Sequence, residues 1–201
     1  MLDRAIQQAL RPVMTQAARG LVRLGVGANV ISVAGFVLGM AAAAAIATQH
    51  FLAGLALLLL SRLMDGLDGA VARATQPTDR GGFLDITLDF LFYAAIPLAF
   101  AMADPATNAL PAAVLLASFI GTGSSFLAFA AVAEKRGLTD TALPGKSFYF
   151  LGGLTEATET IAAFAAMCLW PAWFPPIAYG FAVLCGVTTA LRIGWGWQRL
   201  R

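Results

Sequence analysis

Five aspartates, Asp65, Asp68, Asp79, Asp85 and Asp89, stand in the segment DGLDGAVARATQPTDRGGFLDITLD of a chain whose charged residues make up only 12% of the total. Asp65 and Asp68 are three apart and Asp85 and Asp89 four apart, so each pair occupies one face of a helix. Gly69 beside the first pair removes bulk where a ligand would approach. The polar segment between the pairs is short, which makes the two helices antiparallel neighbours with four carboxylates gathered at one end. Ionised carboxylates in apolar surroundings need protons, cationic side chains or metal ions to neutralise them. Arg62 and Arg73 are the cations nearby, too few for four charges. Hard divalent cations suit the remainder, because Mg²⁺ takes carboxylate oxygens together with substrate phosphate oxygens. Two such ions about 4 Å apart form the clamp used in phosphoryl-transfer and phosphodiester chemistry. At a membrane surface, such a clamp points to a phosphate-containing lipid. Asp79, beside Pro77 and Arg80, reads instead as a cap or a solvated group.

The elements that hold these carboxylates are apolar helices. With 59% hydrophobic residues and a mean hydropathy of +0.77, the composition is that of an integral membrane protein. Hydropathy places spans near 28–48, 51–72, 82–103, 110–133, 147–169 and 172–195. The fold expected is therefore all-α: one domain over 1–201, with six transmembrane helices over 28–195 and an amphipathic juxtamembrane helix over 1–25. In that first segment Ala5, Ile6, Ala9, Leu10 and Val13 share a face, leaving Arg4, Arg11 and Arg19 for lipid phosphates. It lacks the uninterrupted apolar stretch and cleavage site of a signal peptide, and Pro12 is expected to kink or break it.

The cations alternate in placement. Arg4, Arg11, Arg19 and Arg23 precede the first span, Arg73 and Arg80 follow the second, Lys135, Arg136 and Lys146 follow the fourth, and Arg199 and Arg201 follow the sixth. The other loops hold no Lys or Arg, so the positive-inside rule puts both termini and the aspartates on the cytoplasmic side. Trp170, Trp173 and Phe174 fall at the opposite interface. Gly35 and Gly39 have the GxxxG spacing that permits close helix contact. Cys168 and Cys185 lie in apolar segments and read as packing residues without a disulfide. No repeat of the inverted-transporter kind is present. Membrane lipids, and no nucleic acid, are the expected surroundings.

The segment Asp65-Gly-Leu-Asp68-Gly69-Ala-Val-Ala72-Arg73, followed after seven residues by Gly81, Asp85 and Asp89, resembles the CDP-alcohol phosphotransferase motif D-x-x-D-G-x-x-A-R…G-x-x-x-D-x-x-x-D at every fixed position. The resemblance implies a six-helix bacterial inner-membrane enzyme, usually a homodimer. Such an enzyme cleaves the pyrophosphate of a CDP-linked lipid such as CDP-diacylglycerol, joins the phosphatidyl group to a small alcohol acceptor and releases CMP. Carried onto this chain, it makes Asp65, Asp68, Asp85 and Asp89 ligands of two Mg²⁺ or Mn²⁺ ions, with Asp89 also the general base. Gly69, Ala72 and Arg73 line the CDP site. The family often has Pro-Asn and a nearby Thr at the start of the first span; here Asn29 matches as a nucleotide contact, while Ala28 and Ser32 stand in the other two places.

The motif says less about the acceptor. Lys146, Glu156 and Glu159 in or beside the fifth span and Arg192 in the sixth are the polar residues available. Lys146 and Arg192 suit an acceptor phosphate, as in glycerol 3-phosphate; the two glutamates suit a neutral polyol or an amino alcohol, or else pair with Arg192 or Arg62. The rival outside enzymology is a divalent-cation transporter, which requires a site near the midplane with a continuous path.

Overall fold

The computed structural model describes residues 2–137 and 155–200, with side chains from residue 11 onward. Among these residues the chain is helical and without strands. The elements are α1 (Leu2–Arg23), α2 (Ala28–Ala47), α3 (Phe51–Ala74), α4 (Asp79–Ala103), α5 (Pro105–Lys135), α6 (Ala157–Leu169) and α7 (Phe174–Arg199), with a 3₁₀ turn at Pro171–Trp173 before α7.

Four stretches, Ala28–Ala47, Asp79–Ala103, Pro105–Lys135 and Pro171–Arg199, are long and apolar enough to cross a membrane. Helix α3, 24 residues long, covers the expected second span and runs two residues past it, but Arg62, Asp65, Asp68 and Arg73 charge its second half. Helix α6 is an apolar helix of 13 residues; the first part of the expected fifth span lies outside the described residues. Outward-facing side chains such as Leu52, Ile120, Val183 and Ile193 are as apolar as the interior, which is how a bundle meets lipid.

Two expectations shift. Helix α5 begins at Pro105, several residues before the predicted span, because Asp104 caps it, accepting from the Thr107 N–H at 3.3 Å. Proline in the first turn gives up a donor that has no intrahelical partner anyway. Helix α1 runs unbroken through Pro12, for at a membrane surface water and headgroups can serve the carbonyl that proline leaves without a donor.

Helix α1 ends where Gly25 takes φ +75°. This left-handed turn lets the Val26 N–H donate to the Leu21 carbonyl at 3.0 Å. It folds α1 back so that Met14, Ala18, Leu21 and Val22 pack with Ile31, Met64, Leu67, Ala70 and Val71. Arg11, Arg19 and Arg23 stay exposed. The amphipathic helix thus lies against the end of α3 that carries the aspartates.

The main core joins all six remaining helices through residues such as Ile46, Leu58, Phe92, Leu115, Phe164 and Phe181. At the end away from the aspartates, Phe100 stacks on Phe51 and on Phe174, with ring centroids 5.8 and 4.6 Å apart. Cys168 and Cys185 are buried free thiols.

Candidate metal and nucleotide site

The approach of α2 to α3 and α4 sets the site. A β-carbon on Gly35 would lie 3.0 Å from Met64 Cβ, and one on Gly39 would lie 2.6 Å from Phe92 Cδ2 and 3.0 Å from Ser61 Oγ. The GxxxG pair is therefore the contact face of α2, and its missing side chains admit Ser61 and Phe92. The buried Ser61 hydroxyl donates to the Gly35 carbonyl at 2.7 Å, tying α3 to α2 at that point.

Above this contact, Ser32, Gly35 and Phe36 of α2, Arg62, Asp65 and Asp68 of α3, and Asp85, Leu88 and Asp89 of α4 enclose a small cavity. The turn from α3 to α4 fixes the two pairs relative to each other. Thr78 caps α4, its hydroxyl accepting from the Gly81 N–H at 3.1 Å, so the cap is Thr78 and Asp79 is the exposed first helical residue. One carboxylate oxygen from each of Asp65, Asp68 and Asp85 lies within 4.8 Å of the others. Two oxygens on opposite sides of an Mg²⁺ ion stand about 4.2 Å apart, so a small side-chain rotation brings the three to ligand distance. Asp68 is 5% exposed, and its Oδ2 has no hydrogen-bond partner. A buried anionic oxygen without a donor is costly, and a divalent cation among these three carboxylates removes that cost. The donor set therefore fits Mg²⁺ or Mn²⁺.

Asp89 stands outside that trio. Its Oδ1 accepts from Arg62 Nη1 at 2.6 Å, and the same nitrogen lies 3.4 Å from Asp65 Oδ1. The Arg62 guanidinium carbon sits 3.8 Å above the Phe92 ring centre, a cation–π contact.

Farther along α3, Gly69, Ala72 and Arg73 occupy the turns that lead out of the cavity. Arg73 is exposed, and its guanidinium bends back over Gly69, with Nη1 3.1 Å from where a β-carbon would stand. Asn29, exposed in the first turn of α2, puts Oδ1 3.1 Å from the corresponding point on Gly81. Both motif glycines thus leave room for a polar side chain close to their backbone.

The expected acceptor residues assemble elsewhere. Glu156 and Glu159 form a capping box at the start of α6, with the Glu156 N–H donating to Glu159 Oε2 at 3.1 Å. Arg192, 8% exposed, donates from Nη1 to the Thr122 carbonyl at 3.0 Å and lies within electrostatic reach of Glu156. Thr155 and Thr188 join their hydroxyls at 3.0 Å nearby. Phe90, next to Asp89, packs on Gly123, next to Thr122, so this polar group sits at about the depth of Asp89. None of its described members lines the aspartate cavity. Lys146 lies outside the described residues. The sequence alone left unread the dual pairing of Arg62 and the part played by Phe36 and Phe92; the i, i+3 spacing of Arg62 and Asp65 was the signal for the first, and nothing local announced the other two.

Comparison with known proteins adds context to this geometry. The family model described as CDP-alcohol phosphatidyltransferase matches residues 26–191. The chain is 49% identical over 201 residues to Inner membrane protein YnjF of Escherichia coli strain K12, covering 100% of this chain and 98% of that one. It is 39% identical over 92 residues to archaetidylinositol phosphate synthase of Methanothermobacter thermautotrophicus, covering 45% of this chain and 47% of that one. Among solved structures, Mycobacterium tuberculosis phosphatidylinositol phosphate synthase with CDP-DAG bound superposes with a TM-score of 0.72 at 24% identity, covering 92% of this chain and 94% of that one. The same enzyme in complex with manganese and citrate gives 0.68 at 24% identity, over 92% and 88% of the two chains. At that identity the likeness is one of fold.

Proposed function

The chain belongs to the CDP-alcohol phosphatidyltransferase family, and on that premise we propose that it transfers a phosphatidyl group from CDP-diacylglycerol or a close relative to an alcohol, releasing CMP. The observation that carries this reading is the convergence of one carboxylate oxygen from each of Asp65, Asp68 and Asp85 within 4.8 Å, with Asp89 lining the same cavity. Asp65, Asp68, Asp85 and Asp89 hold two divalent cations. Bound Mg²⁺ or Mn²⁺ offsets negative charge on the pyrophosphate and on the departing CMP.

The chain's own residues do the rest. Asp89 takes the proton of the acceptor hydroxyl as its oxygen bonds to the lipid-side phosphorus; the bond from that phosphorus to the bridging oxygen breaks, and the bridging oxygen leaves with CMP. Arg73 gives fixed positive charge and donors to phosphate oxygens at the cavity mouth, with Gly69 and Ala72 leaving space for the nucleotide and Asn29 contacting it from α2. The same reading has the site at the cytoplasmic leaflet of a bacterial inner membrane with both termini on that side, supported by the distribution of Lys and Arg among the loops and by the exposed arginines of α1, which suit lipid phosphates. A homodimer belongs to the same reading.

For the acceptor, the group around Arg192, Glu156 and Glu159, with Lys146, is the binding region. Arg192 and Lys146 suit a phosphorylated polyol, the class to which the names of the inositol phosphate synthase relatives point; the glutamates suit a neutral polyol or amino alcohol. Asp89→Asn tests the mechanism. It should abolish turnover while CDP-lipid binding persists in part, and normal turnover in that variant contradicts the reading.

A further inference from the structure

Arg62 has more supports than a counter-ion needs. Its side chain is 9% exposed, its guanidinium carbon sits 3.8 Å from the Phe92 ring centre, and Nη2 donates to Ser61 Oγ at 3.3 Å. Ser61 is itself fixed to the Gly35 carbonyl. The cation is therefore seated by the α2–α3–α4 packing, independently of Asp89, and Asp89 comes to it at 2.6 Å.

Charge balance follows from this seat. Four carboxylates with one guanidinium leave the cavity three negative charges, and a first divalent cation reduces that to one. A second cation would then leave a net positive charge among these groups, and it would have to draw Asp89 from Arg62, which holds it at 2.6 Å. Without Arg62, two divalent cations balance the four carboxylates. The pyrophosphate of a nucleotide brings the missing negative charge.

We propose that Arg62 is a positioning residue that makes metal loading stepwise: one divalent cation binds at Asp65, Asp68 and Asp85 by itself, and the second binds only together with the CDP pyrophosphate. This rests on the two-cation reading above. Its consequence is order, since Asp89 stays tied to Arg62 until the nucleotide and second ion arrive, and the base is released only when the donor is in place.

The test is a Mn²⁺ titration of the purified protein, with free Mn²⁺ read by electron paramagnetic resonance, with and without CDP. Wild type should bind one Mn²⁺ tightly alone and two with CDP. Arg62→Gln and Arg62→Met should bind two without CDP, the second at least about tenfold tighter than in wild type, equivalent to about 1.4 kcal/mol. Arg62→Lys, which keeps the charge, should restore the dependence on CDP. An unchanged first binding step shows that each variant is folded. Two equal sites in wild type without CDP overturn the proposal whatever the variants do, and so does a neutral variant whose second step matches wild type; in both cases the two-cation reading stands. No Mn²⁺ bound under any condition overturns both.

Discussion

Arg73 Nη1 lies 3.1 Å from the point where a β-carbon on Gly69 would stand. The glycine and the arginine, one helical turn apart, act as a unit: the first leaves the space into which the second bends. Gly69→Ala should therefore push the guanidinium aside and weaken Mg²⁺-dependent CDP binding about tenfold. Helix stability should not fall, because alanine favours a helix by about 0.8–1 kcal/mol over glycine. Calorimetric titration with CDP, paired with thermal unfolding, checks both. In a double-mutant cycle with Arg73→Ala the two losses should not add.

Gly39→Ala should act through packing. The added carbon meets Phe92 at 2.6 Å, and overpacking of this kind costs about 1–3 kcal/mol. A lower melting temperature in detergent is expected. Gly186→Ala, where nothing lies within 4 Å, is the control and should melt no lower than wild type, since alanine is the better helix former.

Asp68→Asn should have opposite effects with and without metal. The buried Oδ2 lacks a donor, so in chelator the neutral variant should melt higher than wild type. Added Mg²⁺ should raise the wild-type melting temperature, by about 2.7 kcal/mol of stability at a hundredfold excess over Kd, and should raise the variant little. Scanning fluorimetry in EDTA and in Mg²⁺ reads both signs.

The glutamates of α6 can be separated by their roles. Glu159→Ala removes the side chain that accepts from the Glu156 N–H and should cost about 1 kcal/mol, as lost helix caps do. Glu156→Gln keeps an oxygen for the cap and removes the charge facing Arg192. Stability should hold while the acceptor KM rises; an unchanged KM would remove Glu156 from the acceptor site.

Much of this site was legible before any fold was known, because its spacing is periodic. The pairs Asp65/Asp68 and Asp85/Asp89 need only the helical repeat to fall on two faces, and Gly35/Gly39 needs only its spacing to mark a contact surface. Asp79 next to Thr78 was ambiguous in sequence, since either can cap, and the structure gives the cap to Thr78. The start of α5 was misplaced because proline reads as a turn unless its first-turn position is recognised. Glu156 and Glu159 read as polar residues in or beside the fifth span available to an acceptor, whereas they close a helix end. The seat of Arg62 on Phe92 joins residues 30 apart and was beyond any local pattern.

CMP release from CDP-diacylglycerol by the purified protein, with Mg²⁺ and in turn glycerol 3-phosphate, inositol phosphate, serine and neutral polyols, decides whether the aspartate cavity is a phosphatidyltransferase site. Release should require the metal and be stimulated by one acceptor, which identifies the other half of the reaction. No metal-dependent release with any acceptor, together with no binding of CDP, would contradict it and return the carboxylates to a cation-transport role.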